Sequence, residues 1–203
     1  IRFDGIAIKD RTDLARTQEA LGRMGDSDWI LLTSANGVRH VFAALARAGR
    51  DARAFGTAKV ACIGTQTADC LAAYGIRADF VPSVYTSEVM AQEMTAGESL
   101  SGRRIMLLRS EIAPRDLVDA FEGAGARVED VPTYTVETGG RPRDELDALR
   151  NDLANKRIDW ITFTSSSTVR AFFEQINVDR FRRSGARIAS ICPVASQQMK
   201  KIG

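Results

Sequence analysis

A chain of 203 residues has room for one large or two small domains, and 44% hydrophobic with 27% charged residues is an ordinary globular composition. Its 28 basic against 26 acidic side chains give a formal net charge of +2, which argues against a nucleic-acid stripe or an acidic tail. No apolar run approaches the roughly 18 residues that cross a membrane, and the opening residues do not read as a signal peptide, so a cytoplasmic protein is expected.

In chain order, strand and helix signals alternate. Residues 1–8, "IRFDGIAI", alternate apolar with polar as half-buried strands do and lead into a helix. "WILLT" (29–33) is an apolar run too short for a helix; Ser34 follows as an N-cap, opening the helical pattern "VRHVFAALARAG". "KVACIG" (59–64) predicts a second buried strand, and "TQTADCLAAYG" a helix closed by Gly75. "DFVP" reads as a short strand stopped by Pro82, and "YTSEVMAQEM" as a helix starting near Thr86 or Ser87. "RRIMLLR" (103–109) is a strand, "PRDLVDAFEGAG" a helix with Pro114 near its first turn and Gly125 as its stop, and "RVEDVP" (127–132) a further strand. "PTYTVET" (132–138) again alternates like a half-buried strand. After it come a helix in "RDELDALRNDLANK", a strand in "DWITFT", a helix in "STVRAFFEQI", a strand in "RIASIC" and a helix in "PVASQQMKKIG".

That order contains a repeat. "DWILLTSANGVRHVF", starting at Asp28, returns as "DWITFTSSSTVRAFF", starting at Asp159, 131 residues later. A solenoid period is roughly 20–50 residues, so this spacing points to a duplicated domain instead. Apolar strands alternating with helices predict two doubly wound α/β domains with parallel sheets. The expected division is a linker strand at 1–8, a complete domain at 9–131, a second linker strand at 132–139, and part of a second domain at 140–203. That second domain is expected to be incomplete here, because it has no counterpart of 76–131 and a sheet of about two strands is a poor independent fold.

In an open parallel sheet, ligands gather at the carboxyl ends of the strands, where helix N-termini converge. Those ends read Thr33-Ser34-Ala35-Asn36, Gly64-Thr65-Gln66-Thr67 and Arg109-Ser110-Glu111 in the first copy, and Thr164-Ser165-Ser166-Ser167 and Cys192-Pro193-Val194-Ala195-Ser196 in the second. Small hydroxylated residues at helix starts leave polarised backbone N–H groups open to anions, although plain N-capping explains each turn singly. Matching clusters in two domains suggest a cleft that holds an anion. Arg109 ends a strand at that edge and either pairs with a carboxylate or is a surface arginine; Tyr134, in the linker, either faces the cleft or covers a domain edge. His40, the single histidine, reads as a surface or packing residue, its repeat counterpart being Ala171. Trp29 and Trp160 open strands and read as core. Cys62, Cys70 and Cys192 share no CxxC spacing and read as buried free thiols. No catalytic triad, metal-ligand cluster, Walker loop or GxGxxG fingerprint is present in the sequence.

The ordered set "DWILLTSANGVRHVF", "KVACIGTQTADCLAAYGI", "FVPSVYTSEVM", "IMLLRSEIAPRDLVDAFEGAGARVEDVPTYTV" and "DWITFTSSSTVRAFF" resembles uroporphyrinogen-III synthases over essentially the whole chain. The resemblance implies two flavodoxin-like domains joined by a two-stranded linker, with a further strand and helix at each end of the split domain, and some relatives fused to a uroporphyrinogen methyltransferase. It implies a cyclising lyase of tetrapyrrole biosynthesis, monomeric, with no cofactor or metal, whose small-molecule substrate is hydroxymethylbilane. By the same resemblance Tyr134 matches the family tyrosine closest to a general acid, and Thr67 and Ser165 match hydroxyls lining the cleft. Ser34, Asn36, Thr65, Arg109, Ser166, Ala195 and Ser196 complete the expected substrate-binding set. The family pattern Gly-Pro-x-Thr is here Cys192-Pro193-Val194-Ala195, which replaces a close backbone approach and removes a hydroxyl, with Ser196 adjacent. A rival from another class is a two-domain module that closes on an anionic ligand without chemistry.

Overall fold

The computed structural model describes residues 6–138, 143–191 and 193–202. Two compact units emerge: Lys9–Thr135 is one, and Ile1–Ile8 with Val136–Gly203 is the other.

The larger unit is organised by strands that bury both faces. Strand β1 is Ile6–Asp10, β2 Trp29–Leu32, β3 Lys59–Cys62, β4 Arg104–Ser110 and β5 Arg127–Thr138, in the sheet order β1-β5-β4-β2-β3. The pairs β2–β3, β2–β4 and β4–β5 are parallel. Alternation along the strands then splits the core in two. Ile30, Leu32, Val60, Cys62, Met106 and Leu108 pack against helices α1 (Ala15–Gly22), α2 (Ala35–Arg47) and α3 (Thr65–Ala72) through Leu21, Val41, Phe42, Leu45 and Leu71. Trp29, Leu31, Ile105 and Leu107 point the other way, against α4 (Ser87–Gly97) and α5 (Asp116–Gly123) through Met90, Met94, Leu117 and Phe121. Continuous apolar runs are what a sheet covered on both faces requires.

Two local expectations change. The segment "DFVP" makes only an isolated bridge, Ala61 to Phe80, because Pro82 ends the pairing at once. The strand at 127–132 and the supposed linker strand at 132–138 are one continuous element, β5. Pro132 is tolerated inside it because the register slips there: Arg109 faces Pro132 but Ser110 faces Tyr134, leaving Thr133 as the extra residue of a bulge. Thr133 fills that bulge by donating its hydroxyl to the Arg109 carbonyl at 3.2 Å.

The second unit holds α6 (Arg143–Ala154), β6 (Trp160–Phe163), α7 (Ser166–Gln175), α8 (Val178–Ser184), β7 (Arg187–Ser190) and α9 (Pro193–Ile202), with β6 and β7 parallel. Leu149, Leu153, Phe163, Val169, Phe172 and Phe181 form its core. Helix α8 carries no apolar run long enough to announce it, but Asn177 caps it by accepting from the Asp179 and Arg180 amides. The repeat recurs in three dimensions. Lys59 N–H donates to the Asp28 carbonyl at 3.0 Å, and Arg187 N–H to the Asp159 carbonyl at 2.8 Å. Lys59 and Arg187 then lie over Trp29 and Trp160, at 5.1 and 5.5 Å from the ring centroids. The two tryptophans differ in cover, however. Trp29 is buried beneath α4 and bonded to Glu98 at 2.8 Å, whereas Trp160 is 55% exposed, contrary to its core assignment. Its side of β6, shared with exposed Thr162, has no helix over it among the described residues.

No helix among the described residues is long and apolar enough to cross a membrane, and no group of three or more potential metal ligands occurs among them. Cys62 is buried, and that burial, followed by the neighbouring Cys70, pushes its thiol up to about 12, which makes it an inert core residue. Cys192 lies outside the described residues.

Candidate active site

The carboxyl ends of β2, β4 and β5 bring one group of polar side chains together. Ser34 has extended backbone and caps α2, accepting from the Gly37 amide at 3.0 Å. Its oxygen also lies 2.9 Å from the Tyr134 hydroxyl. Tyr134 reaches that point because the β5 bulge lets the strand continue past Pro132; its carbonyl accepts from the Glu111 amide at 2.8 Å, and its ring is 7% exposed. Gly37 lies close under the site: a Cβ there would meet the Leu108 carbonyl oxygen at 3.4 Å and Thr133 Oγ1 at 3.6 Å, in ordinary van der Waals contact.

The Gly37 N–H donates to Ser34 Oγ, and either hydroxyl can donate across the 2.9 Å Ser34–Tyr134 contact. When Ser34 donates, Tyr134 accepts and the phenol proton is free for another acceptor, in a chain of bonds that begins at the positive end of α2.

Around this group stand further polar residues. Ser110, facing Tyr134 across the β4–β5 ladder, has a buried hydroxyl with no hydrogen-bond partner among the described residues. Glu111 meets Arg11 at 2.8 Å and Arg16 at 3.9 Å, and the hydrogen bond from Arg11 is the main reason its carboxyl lies below the usual range. Asp10, on β1, accepts from the Thr12 hydroxyl and amide at 2.6 and 2.9 Å and faces Arg47 at 3.0 Å and His40 at 3.3 Å. Burial raises the Asp10 carboxyl, but the Thr12 bonds and the Arg47 and His40 charges outweigh it and hold the group below its ordinary value of 3.8.

A carboxyl lowered on folding stabilises the fold above its ordinary value and loses that contribution as pH falls through the lowered one. Asp10→Asn is therefore expected to reduce the urea midpoint at neutral pH. The difference from wild type should shrink once pH drops past 3.8 and disappear below the folded value. A gap that is constant with pH would show that the Asn side chain perturbs packing rather than charge.

The other expected site residues fall in two places. In the larger unit, Asn36 accepts from Arg39 at 3.2 Å in the first turn of α2. Thr65 is exposed at the start of α3 and Thr67 is 4% exposed, its amide bonded to the Gly64 carbonyl. Gly64 caps α3 without a side chain, and Tyr85 lies over it, 3.0 Å from where a Cβ would be. Arg109, expected at the ligand edge, is 3% exposed; it closes on Asp130 at 2.7 and 2.6 Å and on the Pro114 carbonyl. It does pair with a carboxylate, but an internal one.

In the smaller unit, Ser165 caps α7 through a capping box with Thr168, and its oxygen is 2.9 Å from Ser167 Oγ. Ser166 opens that helix, Ala195 is fully buried in α9, and Ser196 bonds the Ser190 hydroxyl. Sequence reasoning missed His40, Asp10, Thr133 and Ser110 as neighbours of Tyr134. The only signal available was that 1–8 and 132–138 both read as strands; β1 runs on to Asp10, two residues past the expected end, and lies beside β5, which carries Tyr134.

The family model described as "Uroporphyrinogen-III synthase HemD" matches residues 3–203. The chain is 35% identical over 185 residues to a Synechococcus elongatus protein named uroporphyrinogen-III synthase, covering 88% of this chain and 67% of that one. It is 30% identical over 146 residues to "Porphyrin biosynthesis protein HemD" of Ruminiclostridium josui, covering 71% of this chain but 28% of the relative. Its fold is similar to that of a Thermus thermophilus uroporphyrinogen III synthase mutant (TM-score 0.71, 18% identity, 99% of this chain and 79% of that one). It is also similar to the Helicobacter pylori uroporphyrinogen-III synthetase (TM-score 0.65, 14% identity, 99% and 82%).

Proposed function

The chain belongs to the uroporphyrinogen-III synthase family, and from that premise we propose that it cyclises hydroxymethylbilane to uroporphyrinogen III, with loss of water and inversion of ring D. The Ser34–Tyr134 pair at the head of α2 carries this reading. We read the two units as flavodoxin-like domains, a view supported by parallel sheets with helical crossovers. The protein is taken to act as a monomer.

The reaction asks for two things. The leaving hydroxyl needs a proton, and the resulting azafulvene cation must be held so that it closes through the spiro intermediate rather than directly. Tyr134 fits the first demand: its O–H bond breaks, the proton joins the departing hydroxyl to form water, and the electron pair stays on an oxygen that Ser34 and the α2 amides stabilise. The substrate's eight carboxylates fit the second. Ser34, Asn36, Thr65 and Thr67 stand at helix starts in the larger unit, and Ser165, Ser166, Ala195 and Ser196 at helix starts in the smaller one, with Thr67 and Ala195 themselves buried. Backbone amides at such starts hold carboxylates without a large basic surface. Arg109 serves beneath the site, bracing the loop that carries Ser110 and Glu111.

The decisive experiment incubates the protein with enzymatically generated hydroxymethylbilane and separates type I from type III uroporphyrin after oxidation. Type III product above the uncatalysed background supports the synthase; tight binding of uroporphyrin with only type I product would favour the non-catalytic module. Because amides supply most of the contacts, Ser165→Ala is expected to weaken uroporphyrin binding by only about 1 kcal/mol in a calorimetric titration. Abolished binding would mean that the side chain, not the helix start, dominates.

A further inference from the structure

His40 is the chain's single histidine, and nothing in its helix suggests a task for it. Its imidazole nevertheless stacks on the Tyr134 ring, with centroids 5.7 Å apart and planes 14° from parallel. Its Nδ1 lies 3.3 Å from Asp10 Oδ1, and the side chain is 22% exposed. Asp10 is itself fixed by Thr12 and by Arg47, whose guanidinium reaches both Asp10 Oδ2 and the Thr12 hydroxyl. Arg47, Asp10, His40 and Tyr134 thus form a line that ends on the phenol, and none of them belongs to the apolar core clusters.

A carboxylate only accepts, so the nitrogen facing Asp10 at 3.3 Å carries its proton, and the imidazolium is the form that pairs with it as an ion. A cation over an aromatic face is attracted to the ring, and more strongly once the ring carries the charge of a phenolate. We propose that His40 is a positioning residue for the proton donor: held by Asp10, its imidazolium stabilises the phenolate that forms as Tyr134 gives its proton to the departing hydroxyl. This rests on the reading of Tyr134 as that donor. His40 neither gives nor takes a proton in the step. Glu111, whose amide donates to the Tyr134 carbonyl, has its own counter-ions in Arg11 at 2.8 Å and Arg16 at 3.9 Å.

The test is a double-mutant cycle of His40→Phe and Tyr134→Phe, read as single-turnover type III formation with KM measured beside it. His40→Phe keeps an aromatic stack but removes the charge. It is expected to lower kcat roughly three- to thirtyfold with KM unchanged. His40→Gln, which keeps a donor toward Asp10 without the charge, is expected to show the same loss. In the Tyr134→Phe background neither change has a further effect. A wild-type rate in His40→Phe, or its full effect persisting without the phenol, would overturn the inference while leaving Tyr134 as the donor. Wild-type turnover in Tyr134→Phe alone would overturn the donor reading, and the inference with it.

Discussion

Tyr134→Phe lowers the single-turnover rate of type III product formation about a hundredfold, with substrate affinity nearly intact. General acid assistance is typically worth roughly 10²–10⁴-fold. The low end applies because the leaving hydroxyl departs to a stabilised cation and a bound water can deliver part of the proton. The variant removes one oxygen from a ring that is 7% exposed and strips Ser34 of its 2.9 Å partner. Ser34 keeps the Gly37 amide, so α2 retains its cap and a thermal melt should move little. Type III formation at the wild-type rate would leave Tyr134 as a packing residue of β5. A loss confined to KM would instead make its hydroxyl a binding group.

Asp130→Ala is expected to destabilise the larger unit by about 3 kcal/mol, measured as the shift in urea unfolding. The Arg109 side chain is 4% exposed and meets both Asp130 oxygens, at 2.7 and 2.6 Å. Without the carboxylate, the buried guanidinium keeps the Pro114 carbonyl as its acceptor among the described residues. Asp130 is 34% exposed, which lets water reach the vacated side and sets the estimate at the low end of the range for breaking buried pairs. The double variant Arg109→Met with Asp130→Ala should recover most of the loss, because no orphaned charge remains. A single-variant effect within about 0.5 kcal/mol of wild type would show that Arg109 leaves Asp130 at little cost. It would then again be available to a ligand carboxylate.

Most strands and helices of both copies, though not α8, could be read in the sequence because their signals are local. The runs 29–32, 60–63 and 105–108 are apolar without interruption and must be covered on both faces. Ser34, Thr86 and Ser165 cap helices because a hydroxyl one residue before a helix has little else to do. The repeat of Asp28-Trp29 in Asp159-Trp160 likewise encoded one strand-entry bond and one cation over an indole, used twice. Tertiary structure decided what depends on partners distant in sequence. Arg109 and Asp130 are 21 residues apart, and nothing near either says that an arginine at the ligand edge will turn inward. Trp160 repeats Trp29 in sequence yet lies exposed, since burial belongs to whatever covers a face and not to the residue that presents it. His40 reads as an ordinary helical histidine until the β5 bulge carries Tyr134 under it and β1 carries Asp10 beside it. Local propensity and capping act over a few residues, so the sequence by itself determined the elements. The site needed strands 1, 4 and 5 to settle into register, a long-range choice made by the buried ladder and its one slipped residue.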